Sequence, residues 1–167
     1  MVYLRLILLG FFLFYSPSLW AREHLSVPTV NSPLIGKAAQ DVVLTETNGA
    51  SGSVLSLRQD KKAILVFWAT CCPHCYEDLG SINVNLGVIE KRGIKVILVD
   101  VGESAQDVKD YFNRRQMKLI SFVDEDSYLQ STYHLVGVPT LIFIDEKGII
   151  RNVTHQFPSD YENYFGA

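Results

Sequence analysis

A chain of 167 residues, 48% hydrophobic and 20% charged, is long enough to bury one ordinary core, so its three cysteines need not serve as scaffolding. A net charge of −3 without a basic patch gives no general attraction for nucleic acid, and there is neither an internal repeat nor a low-complexity tract.

The first 21 residues set the compartment. Arg5 precedes an apolar stretch from Leu6 to Tyr15, followed by Ser16-Pro17-Ser18 and the small residue Ala21. That pattern reads as a secretory signal, too short for the ~20 residues of an ordinary spanning helix. Leu19 weakens the cleavage site, so a membrane anchor over residues 6–20 stays open as the alternative. No cysteine precedes position 71, which rules out a lipid on an N-terminal cysteine. Either reading puts the remainder outside the cytoplasm, in the periplasm or its equivalent, where disulfides persist. Residues 22–33 read as a linker and residues 34–167 as one domain.

Along that domain strands and helices alternate. Residues 41–57 hold two β-rich runs around an Asn/Gly/Ser turn, a hairpin signal. Ile64 to Trp68 is a continuous apolar run, which fits a strand buried on both faces. Beyond it, Cys75, Leu79, Ile82, Leu86 and Ile89 recur at spacings of four, three, four and three, one face of a helix. Pro73 belongs in that helix's first turn, where its missing N–H has no partner to lose. Residues 93–102 predict a second buried strand. Ser104 with Asp107 predicts an N-cap for a helix whose apolar face is Val108, Tyr111 and Phe112. A strand over 119–126, a short helix over 127–135 and a hairpin turned by Glu146-Lys147-Gly148 complete an α/β plan, a central mixed sheet with helices on both faces.

All three cysteines fall between positions 71 and 75, and Cys72-Pro73-His74-Cys75 spells C-x-x-C. A thiol at a helix N-terminus meets the positive end of the helix dipole and unpaired N–H groups, which favour the thiolate. Cys72 is therefore the expected nucleophile. Cys75, one turn inside and shielded by the packed face, suits the resolving role, and a protonated His74 would add positive charge beside the thiolate.

Residues 63–75, "AILVFWATCCPHC", resemble the active-site strand, turn and helix of the thioredoxin superfamily, and "GVPT" at 137–140 resembles its cis-proline segment. The wider likeness, over about residues 33–153, is to the TlpA/ResA-like extracytoplasmic thiol-disulfide oxidoreductases. It implies a thioredoxin-like fold with an added N-terminal β-hairpin, no cofactor and no metal. Its implied partners are protein thiols or disulfides of extracytoplasmic substrates together with a redox partner. The resemblance assigns catalysis to Cys72, Cys75, His74, Pro73, Pro139 and Asp78, and substrate contact to Trp68, Val138 and a cis Pro139. Three departures stand out. Val66 replaces the buried strand carboxylate of thioredoxins. Asp78 falls where ResA-like proteins place a glutamate, and reads equally as a carboxylate stabilised near the helix start. Cys71 replaces a bulky residue, usually tryptophan.

Other readings compete: a peroxiredoxin is the weakest, since no P-x-x-x-T-x-x-C precedes the site, and a merely structural Cys72–Cys75 pair is disfavoured by its place at a helix N-terminus. Four zinc ligands within five residues cannot readily surround one ion tetrahedrally. Cys71 and Cys75 also form C-x-x-x-C, which resembles the spacing of Sco-type copper chaperones; His134 or His155 would then be the distant ligand. The Cys-Pro-His-Cys sequence is shared with DsbA-like oxidases, whereas the chain as a whole resembles proteins that commonly reduce.

Overall fold

The computed structural model describes residues 26–166, so the leader-like segment lies outside the described residues. Seven strands form one mixed sheet, in the order β2-β1-β5-β4-β3-β6-β7. At its centre β3, Lys62–Trp68, pairs parallel with β4, Ile94–Val101, and antiparallel with β6, Thr140–Ile144. The apolar run becomes a central strand because each of its side chains, whichever face it points to, is taken out of water. Ala63 through Trp68 are each at most 1% exposed.

The two faces have separate cores. Ile64, Val66 and Trp68 pack with Cys75, Leu79, Ile82 and Ile89 of α2, Pro73–Lys91, and with Val108, Tyr111 and Phe112 of α3, Ala105–Arg115. Ala63, Leu65 and Phe67 face the other way, toward Val54 of α1, Val54–Arg58, and Leu129 of α4, Tyr128–Thr132. The spacing of the α2 stripe is borne out, apart from a half-buried Leu86. Gly80 and Gly87 do not interrupt the helix, whose packed face outweighs their low propensity. Gly93, at φ 75°, supplies the left-handed turn from α2 into β4. Ser104 caps α3 as expected, its Oγ accepting the Asp107 N–H at 3.2 Å.

The N-terminal hairpin forms from β1, Val43–Glu46, and β2, Ser51–Ser53, and joins the sheet through β5, Ser121–Asp124. Its second arm is shorter than expected. Residues 54–57, read as strand, are helix α1: Ser53 Oγ accepts the Ser56 N–H at 3.2 Å, and the turn drops Val54 into the core at 0% exposure. At the far edge β7, Ile150–Thr154, is covered by the segment read as a linker. The Val30 N–H donates to Val153 O at 2.7 Å, and the Tyr164 hydroxyl donates to Val27 O at 2.6 Å. The last described element is a 3-10 turn, Tyr161–Phe165, whose Tyr164 and Phe165 rings pack on Phe143.

The α2 stripe carries much of one core, and substitutions on opposite sides of that helix should separate cleanly. Ile82→Ala, at a site of 0% exposure, should cost about 2–5 kcal/mol. Val84→Ala, at 81% exposure, should move stability by less than about 0.5 kcal/mol. Urea unfolding reads both, as a lower midpoint at unchanged slope for the first variant only.

Candidate active site

Strand β3 ends at Trp68, and four residues later Cys72 stands as the N-cap of α2 in extended conformation, φ −90° and ψ 112°. Cys72 and Cys75 are joined as a disulfide. The Cys75 N–H points at Cys72 Sγ from 3.2 Å, so one of the helix's orphan donors is directed at this sulfur. The two sulfurs differ in access: Cys72 is partly exposed, whereas Cys75 is 1% exposed beneath it. Pro73 opens the helix, while His74 is exposed beside it. Cys71 is exposed and unbridged.

The segment at 137–140 arrives from across the sheet. Cys72 Sγ lies 3.5 Å from the Val138 carbonyl oxygen, and the Val138-Pro139 peptide is cis. Val138 is half-buried and Pro139 buried. The Thr140 hydroxyl donates to Gly137 O at 2.7 Å. His155 Nδ1 lies 2.9 Å from Pro139 O and 3.2 Å from Thr140 Oγ1. A carbonyl can only accept and that hydroxyl hydrogen is already committed, so Nδ1 carries the ring hydrogen.

Asp78, one turn beyond Cys75 on the same helix face, is 5% exposed. Burial pushes its carboxyl up to about 6, against the Phe157 N–H that Oδ1 accepts at 2.9 Å. Its Oδ2 is buried without a partner. The side chain borders a cleft of about 340 Å³ shared with His74, Glu77, His155 and Gln156. A carboxyl raised in this way, one turn from Cys75, is suited to hold or release a proton.

Trp68, expected among the substrate contacts, is a core residue instead. It is 0% exposed, its indole N–H donates to Ser121 Oγ at 3.0 Å, and its ring stacks on Phe112 at 5.1 Å. Ile64 and Val66 of β3 point under α2 and α3, and Trp68 keeps that parity. The copper set does not assemble either. Among the described residues no three His, Cys, Asp or Glu side chains gather as a metal site. Cys75 is bridged to Cys72, and His155 is tied to Pro139.

Two carboxylates that the sequence reading passed over lie beside the redox loop. Asp100, next to Trp68 in the β3–β4 register, is 0% exposed. Burial, then the hydrogen bond and charge of Glu103, push its carboxyl up to about 8. Burial works against the Glu103 carboxylate too, but bonds from Asp100 and Thr70 outweigh it and hold Glu103 below the ordinary glutamate value. The available signal was a charged residue ending the apolar run of β4, where an unpaired acid has no place.

The sequence profile of the AhpC/TSA family matches residues 35–153. This chain belongs to that family. Among curated relatives, the thiol-disulfide oxidoreductase ResA of Geobacillus kaustophilus is 26% identical over 119 residues, 71% of this chain and 68% of that one. ResA of Bacillus anthracis is 28% identical over 114 residues, 68% of this chain and 65% of its own. Among solved structures, StoA from Bacillus subtilis superposes with a TM-score of 0.63 at 20% identity, covering 78% of this chain and 96% of StoA. A putative thiol:disulfide interchange protein DsbE from Chlorobium tepidum gives 0.67 at 20%, covering 83% and 92%. The thioredoxin-like fold and the thiol-disulfide oxidoreductase class expected from the sequence both hold.

The buried acids make stability depend on pH. A carboxyl whose folded value is raised keeps a proton that the unfolded chain releases above about pH 4. The stability this gives is complete below that pH and is lost as pH rises through the folded value. For Asp100 the window is therefore about pH 4 to 8, and for Asp78 about 4 to 6. In Asp100→Asn, which keeps an acceptor for the Glu103 N–H, the gap in urea midpoint between variant and wild type should shift in the variant's favour across pH 4 to 8.

Proposed function

We propose that this protein works outside the cytoplasm, exchanging its Cys72–Cys75 dithiol and disulfide with protein partners, with Cys72 attacking and Cys75 resolving. The observation that carries the reading is the disulfide set at the N-cap of α2, with one sulfur reachable and the other buried. The compartment rests on the signal-like residues 1–21 and on the persistence of disulfides outside the cytoplasm. Among the described residues no helix is long and apolar enough to cross a membrane.

In the reducing direction, the Cys72 thiolate attacks one sulfur of a partner disulfide. A mixed disulfide forms, the partner's own S–S bond breaks, and the leaving thiolate takes a proton. Cys75, once deprotonated, attacks Cys72 Sγ and expels the partner's second thiolate. Two electrons have then passed to the partner, and the Cys72–Cys75 disulfide is restored. Asp78, one turn from Cys75, is our candidate to accept the Cys75 proton and to return it in the reverse direction. Pro73 starts the helix that favours the Cys72 thiolate, and exposed His74 adds positive charge beside it when protonated. Val138 and Pro139 form the ledge across from Cys72, where a partner's extended backbone would lie.

Three single variants test the roles. Cys72→Ser should abolish insulin reduction, Cys75→Ser should accumulate mixed disulfides with partners, and Cys71→Ser should keep activity within about twofold of wild type, about 0.4 kcal/mol. Alkylation mapped by mass spectrometry should label Cys72 first, with a pKa below the ~8.5 of a free thiol. Preferential labelling of Cys75 reverses the assignment.

The motif bears on the potential, and through it on the direction of exchange. Stabilising the Cys72 thiolate stabilises the dithiol form, so the disulfide becomes more oxidising. The potential should lie above thioredoxin's value of about −270 mV, and His74→Ala should move it toward reducing values. Equilibration with glutathione measures both, and a wild-type value at or below thioredoxin's that His74→Ala leaves unmoved would remove the histidine from the account.

A further inference from the structure

The loop that carries Cys71 and Cys72 is held from two sides. From within, the Cys72 N–H donates to Ala69 O at 3.2 Å. From outside, Glu103 in the β4–α3 connection receives Thr70 twice, the backbone N–H on Oε2 at 2.6 Å and the hydroxyl on Oε1 at 2.5 Å. Glu103 is in turn set by its own N–H, which donates to Asp100 Oδ1 at 3.2 Å. Parallel pairing puts the carboxyl ends of β3 and β4 side by side, so the two loops that follow them meet here. We infer that Glu103 is a positioning residue of the redox site: by clamping Thr70 it fixes the turn that holds Cys72 at the N-cap of α2.

Short, charge-assisted bonds of this kind are directional. Both carboxylate oxygens face donors on one residue, so Thr70 has a single favourable placement. Glutamine weakens it: the amide oxygen can accept from the Thr70 N–H, but the amide N–H can only donate to the hydroxyl, which must turn to accept, and both bonds lose their charge assistance. Cys72 is two residues from Thr70, and its thiolate is favoured only while the sulfur sits over the open N–H groups of the first helical turn. A loosened turn therefore weakens the thiolate although no group near the sulfur has changed. The clamp rests on the assignment of Cys72 as nucleophile, which the Cys72→Ser experiment tests separately.

Charge and position make opposite predictions. Removing a carboxylate near a thiolate lowers the thiol's pKa through charge alone. Loosening the turn raises it. The measurement is the rate of iodoacetamide labelling of Cys72 against pH, on reduced full-length protein with Cys71→Ser as the common background. Near-UV circular dichroism and a thermal melt verify folding. In Glu103→Gln the Cys72 pKa should rise by about half a unit, about threefold less thiolate at a fixed pH below it. Thr70→Val, which loses only the hydroxyl bond and no charge, should move it the same way by less, and the double variant should not exceed Glu103→Gln, since both act through one interaction. Thr70→Val carries the test if Glu103→Gln does not fold. A lowered pKa in Glu103→Gln with none in Thr70→Val would assign Glu103 a purely electrostatic part and overturn the inference. An unmoved pKa in both, with only the melting temperature reduced, would make the clamp a structural tie and overturn it equally.

Discussion

Double-sided burial of β3 is the constraint on which the rest of the structure depends. A strand with no polar face must be covered above and below, and here α2 and α3 close one side while α1, α4 and the N-terminal segment close the other. Because α2 has to lay its stripe along β3, the connection between them is only the four residues from Ala69 to Cys72. That short crossing puts the first turn of α2 at the carboxyl end of the central strand. The helix N-terminus, its unpaired N–H groups and the two thiols are thus brought together by packing, before any redox chemistry is considered.

The same burial makes the two cysteines unequal. Cys75 belongs to the stripe, so it goes under with Leu79 and Ile82; Cys72 precedes the stripe and stays within reach of a partner. In the proposed exchange, with Cys72 attacking and Cys75 resolving, the buried thiol needs a proton acceptor that also lies beneath. Val66 cannot provide one. Carboxyls enter this core from α2 as Asp78 and from β4 as Asp100 instead, each raised toward or beyond neutrality chiefly by its burial. Both carboxyls hold protons that the unfolded chain would release, at a cost in stability that grows with pH.

Long-range pieces complete the site. The Val138-Pro139 segment comes from the start of β6 and is supported by His155 at the end of β7, a residue whose proximity depends on the β6–β7 hairpin register. Glu103 reaches Thr70 only because β3 and β4 are parallel and in step. Each contact is set by strand pairing between segments 15 to 66 residues apart in the chain.

Periodicity along the chain was sufficient for the elements that bury a face: the continuous run of β3, the four-three stripe of α2, the Ser104 cap and face of α3, and the final hairpin. It was also sufficient to place Cys72 at a helix start and Cys75 one turn inside, because capping and the 3.6-residue repeat are local. Local pattern misread residues 54–57, where β-branched and leucine residues suit a strand but a serine cap and one buried valine made a helix. Tertiary structure alone decided the rest. Trp68 left the substrate surface because strand parity turned it under two helices. Asp78, an ordinary helix-start carboxylate by its neighbours in sequence, met Phe157 from the far end of the chain. Asp100 and Glu103 acquired their positions from the parallel pairing of β3 and β4. Burial and hydrogen-bond partnership are properties of what packs against a residue, and that is settled only when distant segments fold together.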